Sequence, residues 1–512
     1  MFNVRRKAYK GSITVFAALA IMLVAQLLFT LIEASRRIEL EKVMQMNTES
    51  VLESVFADFC SPLWEEYHLL GVTATNEQGM LSFNNRCAQM NLLTKTNLGT
   101  GKTNLLLEGM SFLRADVEDI EATSYALMTD GRGLVFEQAV SAYMKENLAY
   151  EMAKGIYNNF EGVKDAQKEY GDGDDKINGA LDALESAAQE PDLPEKKSRM
   201  KKVRAKAKEP DNEDNPLTTV VEAQKSGILQ LVLPSNAHLS SASFASQPRV
   251  TQRVLEQGNE PLSQEGDWFD RTLFTQYVCN YMSSYTTVKP NHALRYEVEY
   301  LIGGKDNDAD NLKAMINRLL LMREPLNMAS LMASPSKQAQ AESVAVMLAG
   351  ATVNPLIIEA VKYGILAAWA YVESVLDVRA LLDGDKIALV KSDTTWTSTI
   401  ENFPSLLSGW SKAKSCEAGG LNYMQFAEIL LLFEGEKQIA MRAMDLQEAT
   451  VRSVQGYENF CMDHVACVME IQATYVYNPF FLTFVSLVKN QESACRIIDR
   501  ARYSYFEGKE GV

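Results

Sequence analysis

Three short stretches of the chain contain residue types that could bind a ligand. The first is the run Gly-Thr-Gly-Lys-Thr at 99–103, which resembles a loop that holds nucleotide phosphates. A P-loop needs a glycine five positions before its Gly-Lys pair, and here that position is Thr96. No buried strand is expected to lead into the run either. We therefore predict that this segment binds no nucleotide.

Cys461, His464 and Cys467 form the second stretch, and cysteine and histidine are the usual zinc ligands. If a strand begins near His464, then His464 and Cys467 point to opposite faces of it, because their separation is odd. A fourth ligand would also have to come from a distant part of the chain. We predict ordinary core and surface roles for these residues.

The third stretch, at 306–310, reads Asp-Asn-Asp-Ala-Asp and resembles the first half of a calcium-binding loop. The EF-hand spacing requires a glycine and a glutamate at the positions that Asn311 and Asn317 occupy. We therefore predict that the segment is a turn that caps the next helix.

The composition offers little else for catalysis or for holding a cofactor. The sequence has four histidines, so a histidine-based triad or metal cage is poorly supplied. Carboxylates are plentiful, but no pair stands out as an acid and a base. The seven cysteines are dispersed and odd in number, which is not the pattern of a disulfide scaffold. We predict no catalytic site, no cofactor and no metal.

The charge of the chain argues against a nucleic-acid partner. The formal net charge is −16, although the first ten residues are basic, and an acidic surface repels phosphate. A basic run at 196–208 lies inside the charged segment 171–216, but acidic residues flank it and it contains no aromatic residue. We predict a solvated insertion or linker there, rather than a site for nucleic acid or an anionic surface.

One long helix is predicted to position the rest of the chain. Residues 12–32 contain no charged side chain, and as a helix they are about 30 Å long, which matches the hydrocarbon core of a bilayer. This run is longer than the apolar region of a signal peptide and leads into a poor cleavage site. We predict a transmembrane helix over 12–33. The residues expected to form the membrane anchor are its large apolar ones: Ile13, Val15, Phe16, Leu19, Ile21, Leu23, Leu27, Leu28, Phe29, Leu31 and Ile32.

The orientation of this helix follows from the residues around it. Four basic residues precede the span, and three basic residues, Arg36, Arg37 and Lys42, follow it. The positive-inside rule counts lysine and arginine, so this excess is small. Together with the short N-terminal tip, it favours a cytoplasmic N terminus in the cell membrane and an extracellular remainder.

The helix is predicted to continue past the membrane over 34–60, because no proline or glycine interrupts it before Pro62. Apolar residues recur on one side at helical spacing, and acidic residues occupy the other side. Two interpretations of the apolar side stay open. It packs on the body of the same chain, or it forms a coiled coil with a second copy or a partner. The predicted docking face consists of Val43, Met44, Met46, Val51, Val55, Phe56 and Phe59.

The remaining pattern indicates an α+β fold, in which the long helix precedes an ectodomain of helices and antiparallel sheet. Alternating residues predict strands, the first of them with a bulge, over 111–128, 295–302, 466–477 and 495–506. A short apolar run at 227–234 is predicted to be a buried strand or a turn.

Helical spacing predicts helices over 308–333, 336–350, 354–382 and 423–446. The third of these is strongly apolar, but Lys362, Glu373 and Asp377 interrupt it. We therefore expect a core helix and not a second membrane span. The predicted parts of the chain are a cytoplasmic tip (1–11), the transmembrane helix (12–33), its juxtamembrane extension (34–60), a first ectodomain part (61–170), the insertion (171–216) and a second ectodomain part (217–512).

The N-terminal sequence resembles that of pseudopilin-like proteins of the tight-adherence (Tad) pilus system. The resemblance is carried by residues 10–19, Lys-Gly-Ser-Ile-Thr-Val-Phe-Ala-Ala-Leu, and by Glu-Ala-Ser-Arg at 33–36. More closely, the chain is similar to an uncharacterised clostridial family of single-pass membrane proteins. The other stretches similar to that family are 62–67, 299–305, 311–313, 321–324, 422–424, 441–446 and 503–505.

This resemblance implies a surface protein of a pilus or secretion apparatus in a Gram-positive bacterium, without known chemistry. Its expected partners are the lipid bilayer and other membrane proteins of the apparatus or further copies of itself. Pilins are cut after a glycine, so Gly11 and Ser12 form the predicted processing site. The fifth residue of a mature pilin is usually glutamate, whereas here it would be Phe16. This difference puts both processing and assembly into a fibre in doubt.

The sequence thus favours a membrane-anchored structural or assembly component. The alternative is an extracellular receptor or sensor that binds a ligand or polymer, which predicts a concave pocket with convergent polar groups. An ectoenzyme would need a cluster of titratable residues in such a pocket. The sequence singles out no such cluster, so we do not expect an enzyme.

Overall fold

The chain folds into two compact units, each made of separated segments. Unit 1 consists of Met1–Ala139, Val254–Gln264 and Asn459–Val512, and unit 2 consists of Val140–Arg253 and Glu265–Glu458. The predicted α+β class, with a long N-terminal helix ahead of a body of helices and antiparallel sheet, is confirmed. The computed structural model describes residues 10–99, 115–147, 154–165, 168, 216–225, 227–262, 266–349, 354–479 and 495–506.

Helices dominate the described residues. They are α1 (Lys10–Phe56), α2 (Ser61–Tyr67), α3 (Asn84–Asn97), α4 (Asp130–Asn147), α5 (154–165), α6 (Pro216–Lys225), α7 (Ile228–Val232), α8 (Trp268–Tyr281), α9 (Glu297–Gly303), α10 (Asp308–Ala333), α11 (Pro335–Ala349), α12 (Pro355–Leu382), α13 (Phe403–Ser408), α14 (Tyr423–Phe433) and α15 (Glu436–Arg452). The strands are β1 (Val72–Thr73), β2 (Ala115–Leu127), β3 (Ile387–Ala388), β4 (Gly420–Leu421), β5 (Val465–Tyr477) and β6 (Cys495–Ser504).

Unit 1 contains a four-stranded antiparallel sheet with β5 at its centre. β2 pairs with one edge of β5, and β1 and β6 pair with the other edge. The register of β2 shifts after Val117 and after Ala122, so the predicted bulged strand is confirmed. The predicted strands that correspond to β5 and β6 are confirmed as well.

The outer edge of β2 is partly covered by a side chain. Asn259 Oδ1 accepts a hydrogen bond from Tyr125 N at 2.9 Å, and Asn259 Nδ2 donates to Thr123 O at 2.9 Å. The amide thus pairs with the strand backbone as a neighbouring strand would, which protects an otherwise open edge.

Unit 2 is built around α12, against which α10 and α11 pack. The three predicted helices at 308–333, 336–350 and 354–382 are confirmed to within a residue or two at each end. α12 is buried from Ile365 onwards, and its Glu373 and Asp377 side chains have charged partners inside unit 2. It is therefore a core helix, as predicted. Of the described helices, α1 alone is long and apolar enough to span a membrane.

The predicted strand at 295–302 is wrong, because this segment forms α9. The alternation of Tyr296, Val298, Tyr300 and Ile302 with charged residues favoured a strand with its charges in water. In the structure Glu297 and Glu299 are fully buried as well. A helix that is buried on all sides has no polar face, so the periodicity of its sequence no longer separates helix from strand.

Two further segments differ from their predicted structure. Residues 227–234 contain the short helix α7 instead of a strand or turn. The helix predicted over 423–446 is two helices, because the chain leaves helical geometry at Glu434 and Gly435. Backbone N–H groups around this break bond to carbonyls of the last turn of α14 and to Gly435, so both helix ends keep hydrogen-bond partners.

Candidate membrane anchor and its docking surface

The two halves of α1 lie in different environments. The residues of the predicted membrane anchor are all exposed, from 36% for Phe29 to 74% for Phe16. An 18-residue window of this half has a mean hydropathy of 2.6, and none of it is buried. Gly11 and Ser12, the predicted processing site, fall in the first turn of the same helix. One face of the second half, from Glu33 to Phe56, is buried in unit 1.

The second half of α1 packs on the apolar face of the sheet in unit 1. Of the predicted docking face, Met44, Val51, Val55 and Phe56 are buried, whereas Val43 and Phe59 are half-buried. Leu40 and Leu52 complete the buried row. They meet Val117, Ile120, Met469, Ile471, Ala473, Tyr475 and Ala501 of the sheet.

Met46 is an exception, because its side chain is 69% exposed. Helical geometry explains this, since Met46 lies two positions from Met44 and therefore far around the helix. α1 also ends at Phe56, short of the predicted end at residue 60. The structure thus places most of the apolar stripe on the body of the same chain, which leaves those side chains no room to form a coiled coil.

A buried polar cluster, which we call the dock hub, sits inside this apolar interface. Asn47 Nδ2 donates to Tyr475 Oη at 3.0 Å and to Thr94 Oγ1 at 3.2 Å. Thr48 Oγ1 lies 3.0 Å from Tyr475 Oη, and Asn97 Nδ2 donates to Asn47 Oδ1 at 2.8 Å. Because an unpaired polar group in this core would be costly, the hub allows one register of α1 against β5 and α3.

Both ends of the docked half are held by additional contacts. At the C-terminal end the Tyr505 hydroxyl donates to the carbonyl of Phe56, and the Phe56 ring lies 4.6 Å from the Tyr503 ring. At the N-terminal end the buried Glu33 pairs with Arg36 at 2.7 Å, and Arg36 donates to Asn478 O at 3.3 Å. Burial raises the pKa of the Tyr475 and Tyr505 hydroxyls, so both remain protonated donors.

The sequence did not predict the dock hub, because the search for a docking face considered apolar residues only. A signal was present: Asn47 and Thr48 follow Met44 by three and four positions, so they share its face of the helix. Small polar residues within a helical apolar stripe point to a buried hydrogen-bonded partner. The partner Tyr475 is more than 400 residues away in the sequence, and nothing local identifies it.

Of the other stretches that could bind a ligand, the acidic turn at 306–310 has a structural role. Asn307 caps α10, since its Oδ1 accepts from Asp310 N at 2.9 Å, and the predicted capping turn is confirmed. Cys467 is buried in β5, where burial raises the pKa of its thiol. Its neighbours Cys461 and His464 are half-buried in the short segment before β5. Residues 100–103 of the glycine-rich run lie outside the described residues.

Unit 1 also has a concave surface of about 570 Å³ beside β2 and the start of α3. The Phe83 and Tyr125 rings lie 4.4 Å apart on its wall, and Asp119, Glu121 and Cys87 line it as well. Burial raises the pKa of the Cys87 thiol, which disfavours the thiolate that a nucleophilic cysteine needs.

Comparison with known proteins places the chain in a family. The sequence pattern of "Family of unknown function (DUF5702)" matches residues 206–477, more than half of the chain. The chain belongs to DUF5702. No curated protein and no solved structure matches it. The DUF5702 match covers most of unit 2 and ends at Tyr477, the last residue of β5. Helix α1 of this DUF5702 protein therefore lies outside the matched region.

Proposed function

We propose that this protein is a single-pass membrane protein of a Gram-positive cell surface, in which α1 is both the anchor and the rod that carries unit 1. The observation that carries the proposal is the division of one uninterrupted helix into an exposed apolar half and a docked half. Continuous apolar surface of this extent is costly in water and marks contact with lipid or with partner helices. The exposed apolar half of α1 is about 30 Å long, which fits the hydrocarbon core of a bilayer.

The proposed orientation has residues 1–11 in the cytoplasm and the bulk of the chain outside the cell. Four basic residues in a short tip support it through the positive-inside rule. The docked half of α1 supports a fixed geometry between span and body, because the dock hub and the contacts at both of its ends join α1 to the sheet and to the residues that follow its strands.

We further propose a structural or assembly role, similar to that of a pseudopilin in a Tad-type pilus or secretion apparatus. The sequence resemblance and the protruding apolar half of α1 support this role. Phe16 stands where a pilin has glutamate, which favours an anchor with a docking rod over a fibre subunit. Since unit 1 covers the inner face of the docked half, partners or further copies would contact its outer face, which includes Ile38 and Met46.

Membrane extraction tests the anchor. Full-length protein should stay in the membrane pellet after alkaline carbonate treatment. The double substitution Leu23→Arg with Leu27→Arg should release it, because each central charge costs about 3 kcal/mol in a bilayer. Leu321→Arg is the matched control, since Leu321 is 64% exposed in unit 2, and this variant should stay in the pellet. A soluble parent protein would refute the anchor.

Cross-linking in membranes tests the assembly role. Met46→Cys places a thiol on the exposed face of the docked half, whereas Val51→Cys places one in the buried face. We expect Met46→Cys to capture a second copy or another membrane protein and Val51→Cys to capture neither. Absence of any product from Met46→Cys, and from cysteines placed at Ile38 and Glu49, would contradict assembly through this helix. N-terminal sequencing of the extracted protein decides whether it begins at Ser12, as pilin-like processing requires.

A further inference from the structure

Unit 2 contains a second concave surface, which we call the aromatic cleft. It has a volume of about 340 Å³ and lies between α5, the start of α8 and the junction of α14 with α15. Tyr157, Phe160 and Trp268 form its apolar wall. Trp268 is 41% exposed, which is uncommon for so large an apolar side chain in a folded unit.

The Tyr157 and Trp268 rings form the accessible aromatic surface of the cleft, which we call the platform, and their planes are inclined by 43°. The third ring, Phe160, lies behind them: it is 9% exposed, and the Lys164 ammonium lies 4.5 Å from its centroid. The Tyr157 and Trp268 ring centroids are 4.7 Å apart, and those of Tyr157 and Phe160 are 6.3 Å apart. The Tyr157 and Trp268 rings are too close to admit a quaternary ammonium group between them, and the Lys164 ammonium already lies against the Phe160 ring. The geometry is therefore not that of an aromatic cage for methylated amines, which encloses its cation on several sides.

The platform is held in place from behind. Phe160 packs on Phe433 with centroids 4.8 Å apart. Arg271 donates to Leu432 O at 2.8 Å and to Glu434 O at 2.7 Å, which fixes the end of α14 against α8. Asp267 caps α8 through Phe269 N at 2.9 Å, directly beside Trp268. A rigid aromatic surface of this kind loses little conformational entropy when a ligand binds.

Polar side chains surround the platform. Glu161, Lys164, Asp267 and Glu436 line the cleft. Glu161 and Lys164 lie 3.3 Å apart, and their side chains are 40% and 43% exposed. This rim presents hydrogen-bond acceptors and one ammonium donor around an apolar floor. Three carboxylates oppose a phosphate or any strongly anionic ligand, and the guanidinium of Arg271 already binds backbone carbonyls.

We propose that the aromatic cleft binds a neutral pyranose unit of a polysaccharide. One face of a pyranose consists of C–H groups that stack on an aromatic ring, and its edge carries hydroxyls that both donate and accept hydrogen bonds. The aromatic platform can stack on the C–H face, and the carboxylates and the ammonium of the rim can bond to the hydroxyls. The volume of the cleft lies within the range of small-ligand sites. The assignment depends on unit 2 alone, so it stands or falls separately from the membrane anchor.

Titration calorimetry with defined oligosaccharides tests the assignment. The full-length protein is placed in lipid nanodiscs, because detergents with sugar headgroups would compete for the cleft. The probes are the linear tetrasaccharides of glucose, mannose and N-acetylglucosamine. We expect at least one of them to bind. Trp268→Ala should then weaken binding at least tenfold, whereas Trp268→Tyr should retain most of it.

Two further variants keep the test decisive if Trp268→Ala does not fold. Lys164→Ala changes an exposed rim residue and should weaken binding several-fold without affecting folding. Trp410→Ala is the matched control, because Trp410 is a similarly exposed tryptophan of unit 2 outside the cleft lining, and it should bind like the parent. Absence of binding to all three probes would overturn the assignment. The assignment would also be overturned if Trp410→Ala lost as much oligosaccharide binding as Trp268→Ala, or if tetramethylammonium displaced the bound sugar.

Discussion

The docking surface of unit 1 and the centre of unit 2 bury polar groups of different kinds. Between α1 and the sheet, Asn47, Thr48 and Tyr475 are neutral and satisfy one another by hydrogen bonds. In unit 2, Arg323 bonds Asp377 at 2.9 Å and Lys391 lies 2.5 Å from Asp377, with all three side chains nearly inaccessible to water. A neutral hub sets register at modest cost, whereas a buried ionic network depends on every partner being present.

Unit 2 adds a second kind of buried charge. Glu299 accepts hydrogen bonds from the Tyr423 hydroxyl at 2.5 Å and from Tyr285 N at 2.9 Å, and both of these donors are neutral. Burial raises the pKa of Glu299 to about 7. Asp377 behaves in the opposite way. Burial alone would raise its pKa, but the charges of Lys391 and Arg323 hold the pKa below its ordinary value. The comparison therefore predicts that the stability of unit 2 responds to pH and to loss of charge, and that the contribution of the dock hub does not.

The largest expected effect is the loss of a charge from the ionic network. Asp377→Ala should lower the free energy of unfolding of unit 2 by about 4 kcal/mol, because it leaves Arg323 and Lys391 buried without their shared carboxylate. The measurement is the urea concentration at which half of the buried Cys279 thiol becomes labelled, which reports the unfolding of unit 2. Asp383→Ala is the control, since Asp383 pairs with Lys412 at the surface and their side chains are 50% and 40% exposed, and the change should be below about 1 kcal/mol. Equal effects of the two variants would break the comparison.

An intermediate effect is expected from pH. Since the folded state raises the pKa of Glu299, it holds the proton more tightly than the unfolded chain does. This contribution to stability is fully present below about pH 4.5 and is lost as pH rises through 7. Glu299→Gln lacks this titration. The fall in the free energy of unfolding of unit 2 between pH 5 and 8 should therefore be smaller in this variant than in the parent, by on the order of 2 kcal/mol.

The measurement for this pH effect is the urea midpoint of Cys279 labelling between pH 5 and 8, with a pyridyl disulfide that reacts at acid pH. Burial also raises the pKa of Glu428 to about 7, so the slope that remains in Glu299→Gln should fall further in the double variant with Glu428→Gln. A slope of the same size in parent and double variant would contradict the assignment to these carboxyls.

The smallest effect is expected at the dock hub. Tyr475→Phe removes the hydroxyl that Asn47 and Thr48 share, and should cost unit 1 about 1–2 kcal/mol at every pH between 5 and 8. Labelling of the buried Cys467 thiol in β5 reports on unit 1. Tyr503→Phe is the control, because it keeps the ring contact with Phe56. A cost that changed with pH would mean that the dock hub is not electrically neutral.

Local sequence patterns predicted most of the long elements. α10, α12 and β5 each have an unambiguous spacing of apolar residues, and their bounds agree closely with the structure. The strand predicted where α9 lies was wrong, because a helix that is buried on all sides has no polar face to reveal its period. The prediction of one helix across α14 and α15 was wrong for another reason. Their apolar spacing is nearly continuous, and a single glycine, Gly435, was too weak a signal to interrupt it.

The sequence by itself determined that α1 is an uninterrupted helix with a long uncharged half, because both properties depend on neighbouring residues only. The tertiary structure decided which face of its second half is buried and excluded Met46 from that face. It also joined Asn47 to Tyr475 and gathered the rings of the aromatic cleft from two separate helices. Such contacts depend on how distant segments pack in three dimensions, and no local pattern of residue types specifies that packing.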